Sequence, residues 1–143
     1  MTQLIPYIAY PSAKNALVYY QRVFNAEVIT RLSPTPQQAG MFGLSADADL
    51  SELTMHAEFS ILGTKIMCSD AFGHDAKPAS QISLMLMLDP ADAALGDAFY
   101  QQLVDSGEVT VDMPYALQFW GDKMGQVTDQ FGVVWRLQQA PAK

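Results

Sequence analysis

Residues that commonly carry chemistry are scarce in this sequence. Its 143 residues include a single cysteine, Cys68, and two histidines, His56 and His74. One cysteine closes no intrachain disulfide, so nothing marks a disulfide-stapled secreted scaffold. Basic residues are few as well: 8 Lys and Arg face 15 Asp and Glu, for a formal charge of −7. An acidic surface repels phosphate backbones and anionic lipid, which argues against nucleic-acid partners and against docking on a membrane. Long apolar runs are missing. The richest, residues 82–88, is far short of the roughly 20 residues that cross a bilayer. Met1-Thr2-Gln3-Leu4-Ile5-Pro6 lacks the basic flank and apolar stretch of a signal peptide. The expectation is a cytoplasmic domain.

What is present is apolar bulk. Half the residues are hydrophobic and 16% are charged, enough to bury a core and unlike a disordered or fibrous chain. The length has room for about one domain of 100–150 residues. Charge is lopsided, with a net +2 over residues 1–46 and −9 over residues 47–143.

Residues 4–10 read as a strand closed by Pro11. Ser12 then caps a helix with Ala16, Leu17, Tyr20, Val23 and Phe24 on one face, and Asn25 suits its left-handed stop. Residues 27–32 read as a strand, and residues 33–51, with Pro34, Pro36, Gly40 and Gly43, as a long loop. Residues 53–61 alternate strictly. Leu53, Met55, Ala57, Phe59 and Ile61 fall on one face, and Thr54, His56, Glu58 and Ser60 on the other. A tight turn at Leu62-Gly63-Thr64 leads to a return strand over residues 65–69. Residues 70–79, with Gly73 and Pro78, read as a linker.

The order then repeats. Residues 81–88 form a strand whose near-continuous hydrophobicity predicts burial on both faces. Asp89-Pro90 opens a helix with an apolar stripe of Ala91, Leu95, Ala98, Phe99 and Leu103, and Gly107 stops it. Residues 108–113 read as a strand, and residues 118–120 begin a hairpin that returns along residues 133–138. The prediction is an α+β fold of two tandem βαβββ modules, residues 1–75 and 78–143, within one domain spanning 1–143. The halves share negligible sequence identity, so the repeat rests on element order.

Particular residues narrow the fold further. Pro6-Tyr7-Ile8, Tyr19-Tyr20, the run from Val23 to Glu27, Met55-His56-Ala57, Gly63 with Ile66-Met67, and Ser69-Asp70 mark the first module. Trp120-Gly121, Gly125, Val127-Thr128-Asp129, Phe131-Gly132-Val133 and Trp135 mark the second. In this order and spacing the chain resembles the vicinal oxygen chelate superfamily of glyoxalase I, bleomycin-resistance proteins and extradiol dioxygenases. Within it the likeness is to the PhnB-like branch, labelled 3-demethylubiquinone methyltransferase-like. Asn25 stands where that family usually has glycine, and both residues tolerate the helix-stop conformation.

The resemblance implies paired modules whose curved mixed sheets form a cavity, sites at the module or subunit interface, and a homodimer. For metal-using members it implies His, Gln or Glu ligands on the first and last strands of each module. Here those places fall on Ile5, on Met67 or Cys68, on Ser83 and on Arg136. Isoleucine and methionine are poor ligands for a hard or borderline cation, and arginine brings a positive charge. A lone thiolate at Cys68 does not restore the three protein ligands of a catalytic zinc site. No cofactor is therefore expected, and a divalent metal is disfavoured. The methyltransferase label implies S-adenosylmethionine. Yet no glycine-rich turn follows the first strand, and no doubly wound alternation is present to take a nucleotide-bearing cofactor.

Candidate site residues follow from the faces. His56 and Glu58 lie two apart on one strand, roughly 7 Å along the chain. They are within reach of a shared metal, or of acting as a base with its orienting carboxylate; two solvated polar residues are the plainer reading. Trp120 offers a flat ring with one donor, for stacking on a ligand or for packing. Tyr7 shares strand parity with Ile5, and so the face implied for the ligands. Ser83 and Arg136, by the same implication, can hold a carboxylate or other anion, or Arg136 can pair with one of the many acids. Asp70 and Asp129 read as turn and capping residues, Cys68 as a small buried residue, and His74 as exposed in the linker. Met55, Met67, Met85 and Met87 fit a cavity wall and an ordinary core equally.

Three functions stay open. The first is a small-molecule-binding protein without the usual metal site. The second is a divalent-metal-dependent lyase, isomerase or dioxygenase using His56 and Glu58. The third is a non-catalytic interaction module. A homodimer is expected, because a half-open sheet leaves apolar surface and strand edges to cover.

Overall fold

In the computed structural model, which describes residues 2–72, 77 and 81–140, the first module begins with β1 (Tyr7–Tyr10) and α1 (Ala13–Val23). The Ser12 hydroxyl accepts from the Asn15 N–H at 3.3 Å, satisfying one donor that the first helical turn leaves free. Past the helix, Asn25 takes φ +54°, the left-handed stop its side chain tolerates. α1 buries Ala16, Leu17, Tyr20 and Val23 against its sheet. There Tyr20 stacks on Phe59 with centroids 5.4 Å apart, and the Tyr10 hydroxyl donates to the Tyr20 hydroxyl at 2.9 Å. Each such buried side chain contributes on the order of 1.5–3 kcal/mol.

β2 (Glu27–Leu32) leads into the stretch read as a loop, which instead holds α2 (Pro36–Met41) and a single 3-10 turn at Leu50–Glu52. Proline is tolerated at the first helical position, and Thr35 with Gln38 forms a reciprocal capping box. β3 (His56–Ile61) and β4 (Thr64–Asp70) complete the module, joined through Leu62 and Gly63, both at positive φ. β3 starts three residues later than its alternation predicts. Thr54 is buried rather than outward-facing: its hydroxyl accepts from Arg31 at 3.0 Å and its N–H donates to Asp70 at 3.0 Å. Asp70 also accepts the Ala13 N–H at 2.7 Å, tying the start of α1 to the approach of β3. The expected linker overlaps the last residue of β4, and its Gly73, His74 and Pro78 lie outside the described residues.

The second module contains β5 (Leu84–Leu88), α3 (Ala93–Ser106), β6 (Thr110–Leu117), β7 (Lys123–Thr128) and β8 (Val134–Gln139). Three expectations change here. β5 buries only Leu86 and Leu88, while Met85 and Met87 are 44% and 60% exposed, so one face is covered rather than two. α3 buries Gly96, Phe99 and Leu103, leaving Ala91, Leu95 and Ala98 exposed. Ala91 falls in a 3-10 turn at Pro90–Asp92 ahead of the helix, and the buried stripe of Gly96, Phe99 and Leu103 runs at i, i+3 and i+7, with Leu95 to its side. The final hairpin is β7–β8, and residues 118–122 form the turn before it, with the Gln118 N–H donating to the Asp122 carbonyl at 2.7 Å. Gly107 ends α3 at φ +67°, as expected.

Strand order is β1-β4-β3-β2 in the first sheet and β5-β8-β7-β6 in the second. In each, the first and last strands run parallel and the other pairs antiparallel. These are two open mixed sheets of the same topology, neither closed into a barrel: the α+β, glyoxalase/bleomycin resistance architecture. The chain divides into two compact units, Met1–Ala76 and Lys77–Lys143. Each sheet turns alternate residues toward its helix and leaves the other face open. The Asp129 carboxylate locks the turn into β8. It accepts from the N–H groups of Phe131 and Val133 at 2.8 and 3.0 Å and from Trp135 Nε1 at 2.9 Å. No helix among the described residues is long and apolar enough to cross a membrane.

Candidate functional site

On the open face of the first sheet, strand register sets Tyr7 beside Met67, Met67 beside Glu58 and Glu58 beside Thr30. His56 lies one row along, opposite Leu32. Tyr7 reaches it diagonally over β4, its hydroxyl 3.2 Å from Nδ1, with the two rings 5.8 Å apart. On the other side of the imidazole, Nε2 is 3.6 Å from Glu58 Oε1, an electrostatic contact longer than a hydrogen bond. Lys65 Nζ stands 3.7 Å from the second Glu58 oxygen. The structure thus brings together three sequence candidates, Tyr7, His56 and Glu58, and adds Lys65. The two-residue turn was the available signal for Lys65: it sets Lys65 opposite Ser60, one diagonal from Glu58.

The open face of the second sheet is built differently. Arg136 lies between Met85 on β5 and Gln126 on β7. Gln138, next along the face, lies between Met87 and Met124. The Arg136 Nε is buried and has no hydrogen-bond partner. Gln126 and Thr128 donate to Asp112 at 3.3 and 2.6 Å, and Gln138 to Asp122 at 2.7 Å. The glutamines, Met124 and Asp112 went unread because only register and tertiary hydrogen bonds bring them to this face.

The remaining candidates stand apart. Ser83 is exposed just ahead of β5. Trp120 sits in the 118–122 turn, 48% exposed, and packs edge-on against Phe119 at 4.9 Å. Register resolves Met67 against Cys68: Met67 pairs with Tyr7 on the open face, whereas Cys68 pairs with Ile8 and is buried. Burial, and then the charge of Asp70, push the Cys68 thiol up to about 12, which leaves it inert as a ligand or nucleophile at neutral pH.

The metal ligands that the superfamily resemblance implies are not supplied by these residues. Among the described residues no group of three or more His, Cys, Asp and Glu side chains lies together to hold an ion. His56 and Glu58 make a pair only, and the Lys65 ammonium already occupies the cation's place beside Glu58. A catalytic divalent site needs a third donor on the same side. A cavity of about 10 Å³ beneath α3, lined by Phe99, Tyr115, Val127 and Trp135 and reached by Gln126 and Arg136, has room for about one water.

Comparison with known proteins agrees with this fold. The family model described as 3-demethylubiquinone-9 3-methyltransferase matches residues 2–138. Protein YjdN of Escherichia coli (strain K12) is 29% identical over 140 residues, covering 94% of this chain and 92% of that protein. The PhnB protein from Bacillus cereus is similar in structure with a TM-score of 0.68 at 19% identity, covering 97% of this chain and 100% of that one. The fosfomycin resistance protein FosX from Listeria monocytogenes, solved with Mn(II) and sulfate, has a TM-score of 0.62 at 13% identity, covering 97% and 92%. At these identities the structural likenesses speak for the fold alone. The family match, spanning nearly the whole sequence, goes further: the chain belongs to the family described as 3-demethylubiquinone-9 3-methyltransferase.

Proposed function

We propose that this chain is a cytoplasmic, homodimeric small-molecule-binding protein that works without the metal site used elsewhere in its superfamily. The observation that carries the reading is the array on the first sheet. Tyr7, His56, Glu58 and Lys65 stand next to one another in a row, instead of converging on one point. Such an array offers a ligand a phenol, an imidazole and the exposed ring of Tyr7. The resemblance to metal-using members implies donors at places where this chain has Ile5, Met67, Ser83 and Arg136. The family's methyltransferase description finds no support in topology, since strand order β1-β4-β3-β2 lacks the doubly wound parallel sheet that takes a nucleotide-bearing cofactor. Support for a dimer comes from β6, an edge strand ending in exposed Leu117 and followed by Phe119, which is 97% exposed.

The test combines metal analysis of purified protein with a thermal-shift screen over divalent ions and small organic molecules. Upward shifts with organic ligands alone support the proposal. Stoichiometric metal that is lost in His56→Ala would establish the metal-dependent enzyme reading instead. Silence toward every compound would favour the interaction module.

A further inference from the structure

We infer that the open face of the second sheet binds a monocarboxylate with an apolar body, and that Arg136 holds its carboxylate. The inference rests on the small-molecule reading above and names a ligand class and a second place for it. A buried guanidinium nitrogen without a partner is costly, and folded proteins rarely leave one so unless something else completes it. Acids are abundant in this chain, and Lys14, Lys65 and Lys123 each contact one: Glu52, Glu58 and Asp97. Arg136 contacts none among the described residues. The acids bonded to its neighbours, Asp112 and Asp122, are held by Gln126, Thr128 and Gln138. Arg136 is therefore left as a donor on this face, and its planar fork matches a carboxylate in two parallel bonds.

The surroundings set the rest of the ligand. Met85, Met87 and Met124 neighbour Arg136 and Gln138 in register, and their flexible, polarizable thioethers accommodate rings and alkyl chains of varied shape. A single guanidinium, in a chain of net charge −7, favours an anion of one charge over a phosphate dianion.

The methionines serve as reporters. Full-length protein carrying ¹³C-methyl methionine is titrated with benzoate and hexanoate, and in parallel with benzyl alcohol and phenylphosphonate. Saturable shifts of the Met85, Met87 and Met124 methyls with the carboxylates, while Met41 and Met55 stay still, support the inference. So does binding weakened at least tenfold in benzyl alcohol and in Arg136→Gln, with Arg136→Lys between the two. Equal binding of benzyl alcohol and benzoate overturns it on the wild-type protein alone, whatever the variants do. Tighter binding of phenylphosphonate, or undiminished benzoate binding in Arg136→Gln, also overturns it. Shifts that track protein concentration with no additive mean that a second copy covers this face, and they overturn it too. Silence toward both carboxylates, with other molecules binding at Tyr7 and His56, overturns this inference and leaves the general reading standing.

Discussion

The Tyr7 hydroxyl and His56 Nδ1 stand 3.2 Å apart over β4, linking two strands that share no backbone pairing. When the phenol donates to Nδ1, the ring proton sits on Nε2, on the side of Glu58. The imidazole thus has a polar neighbour on each side, and together they favour that tautomer.

Tyr7→Phe tests this arrangement. An exposed hydrogen bond of this kind contributes on the order of 0.5–1 kcal/mol, so the unfolding midpoint should drop slightly. The stronger readout is the ¹⁵N shift of His56, which should move from one tautomer toward a mixture. Unchanged ring nitrogens would show that the contact does not orient the imidazole.

Gly125→Ala should be damaging although the side chain is small. A Cβ at Gly125 would stand 2.7 Å from the Tyr115 Cα and 2.9 Å from its backbone nitrogen, so β6 itself must move. Overpacking of this kind costs about 1–3 kcal/mol. Gly40→Ala is the control, because nothing lies within 4 Å of that position. There a gain of about 0.5–1 kcal/mol is expected from helix propensity. Chemical denaturation of both variants checks the contrast.

Cys68 gives a pH dependence with a definite sign. Its folded pKa of about 12 lies above the 9.0 of the free thiol, because burial and Asp70 oppose the thiolate. Above pH 9 the unfolded chain loses this proton while the folded chain keeps it, so stability falls as pH rises. The slope from this group is about 1.4 kcal/mol per pH unit. Burial also raises the Tyr115 phenol, which acts in the same direction. Urea unfolding between pH 8 and 10 should therefore show a shallower slope in Cys68→Ala than in the wild type. The folded thiol should also resist alkylation at pH 8.

Dimerisation has a direct check. Sedimentation equilibrium at micromolar concentration should return twice 15.7 kDa, and Phe119→Asp should weaken the association. A wild-type species at the monomer mass would end the dimer proposal.

What could be read from sequence was what neighbours in sequence decide. Ser12 and Asn25 bracket α1 because caps are local, and the β3 alternation from His56 onward displays His56 and Glu58 together. α2 escaped because Pro36 and Gly40 look like breakers, though the Thr35–Gln38 box was in view. The buried stripe of α3 keeps Phe99 and Leu103 but takes Gly96, a residue with no side chain to read, in place of Leu95. β7 was hidden by Gly125, a glycine kept for the close approach of Tyr115 rather than for a turn. Lys65, Gln126 and Gln138 needed strand register, which is settled by tertiary pairing.

Each strand alternates between residues that face a helix and residues that do not, and this separates two kinds of selection. Leu86, Trp135 and Leu137 answer to packing, while Met85 and Met87, on the face turned away from them, are released from it. Variation confined to the second set could rewrite what the surface recognises and leave the melting temperature almost untouched. A scaffold arranged in this way can exchange one chemistry for another by single steps, without crossing an unfolded intermediate in evolution.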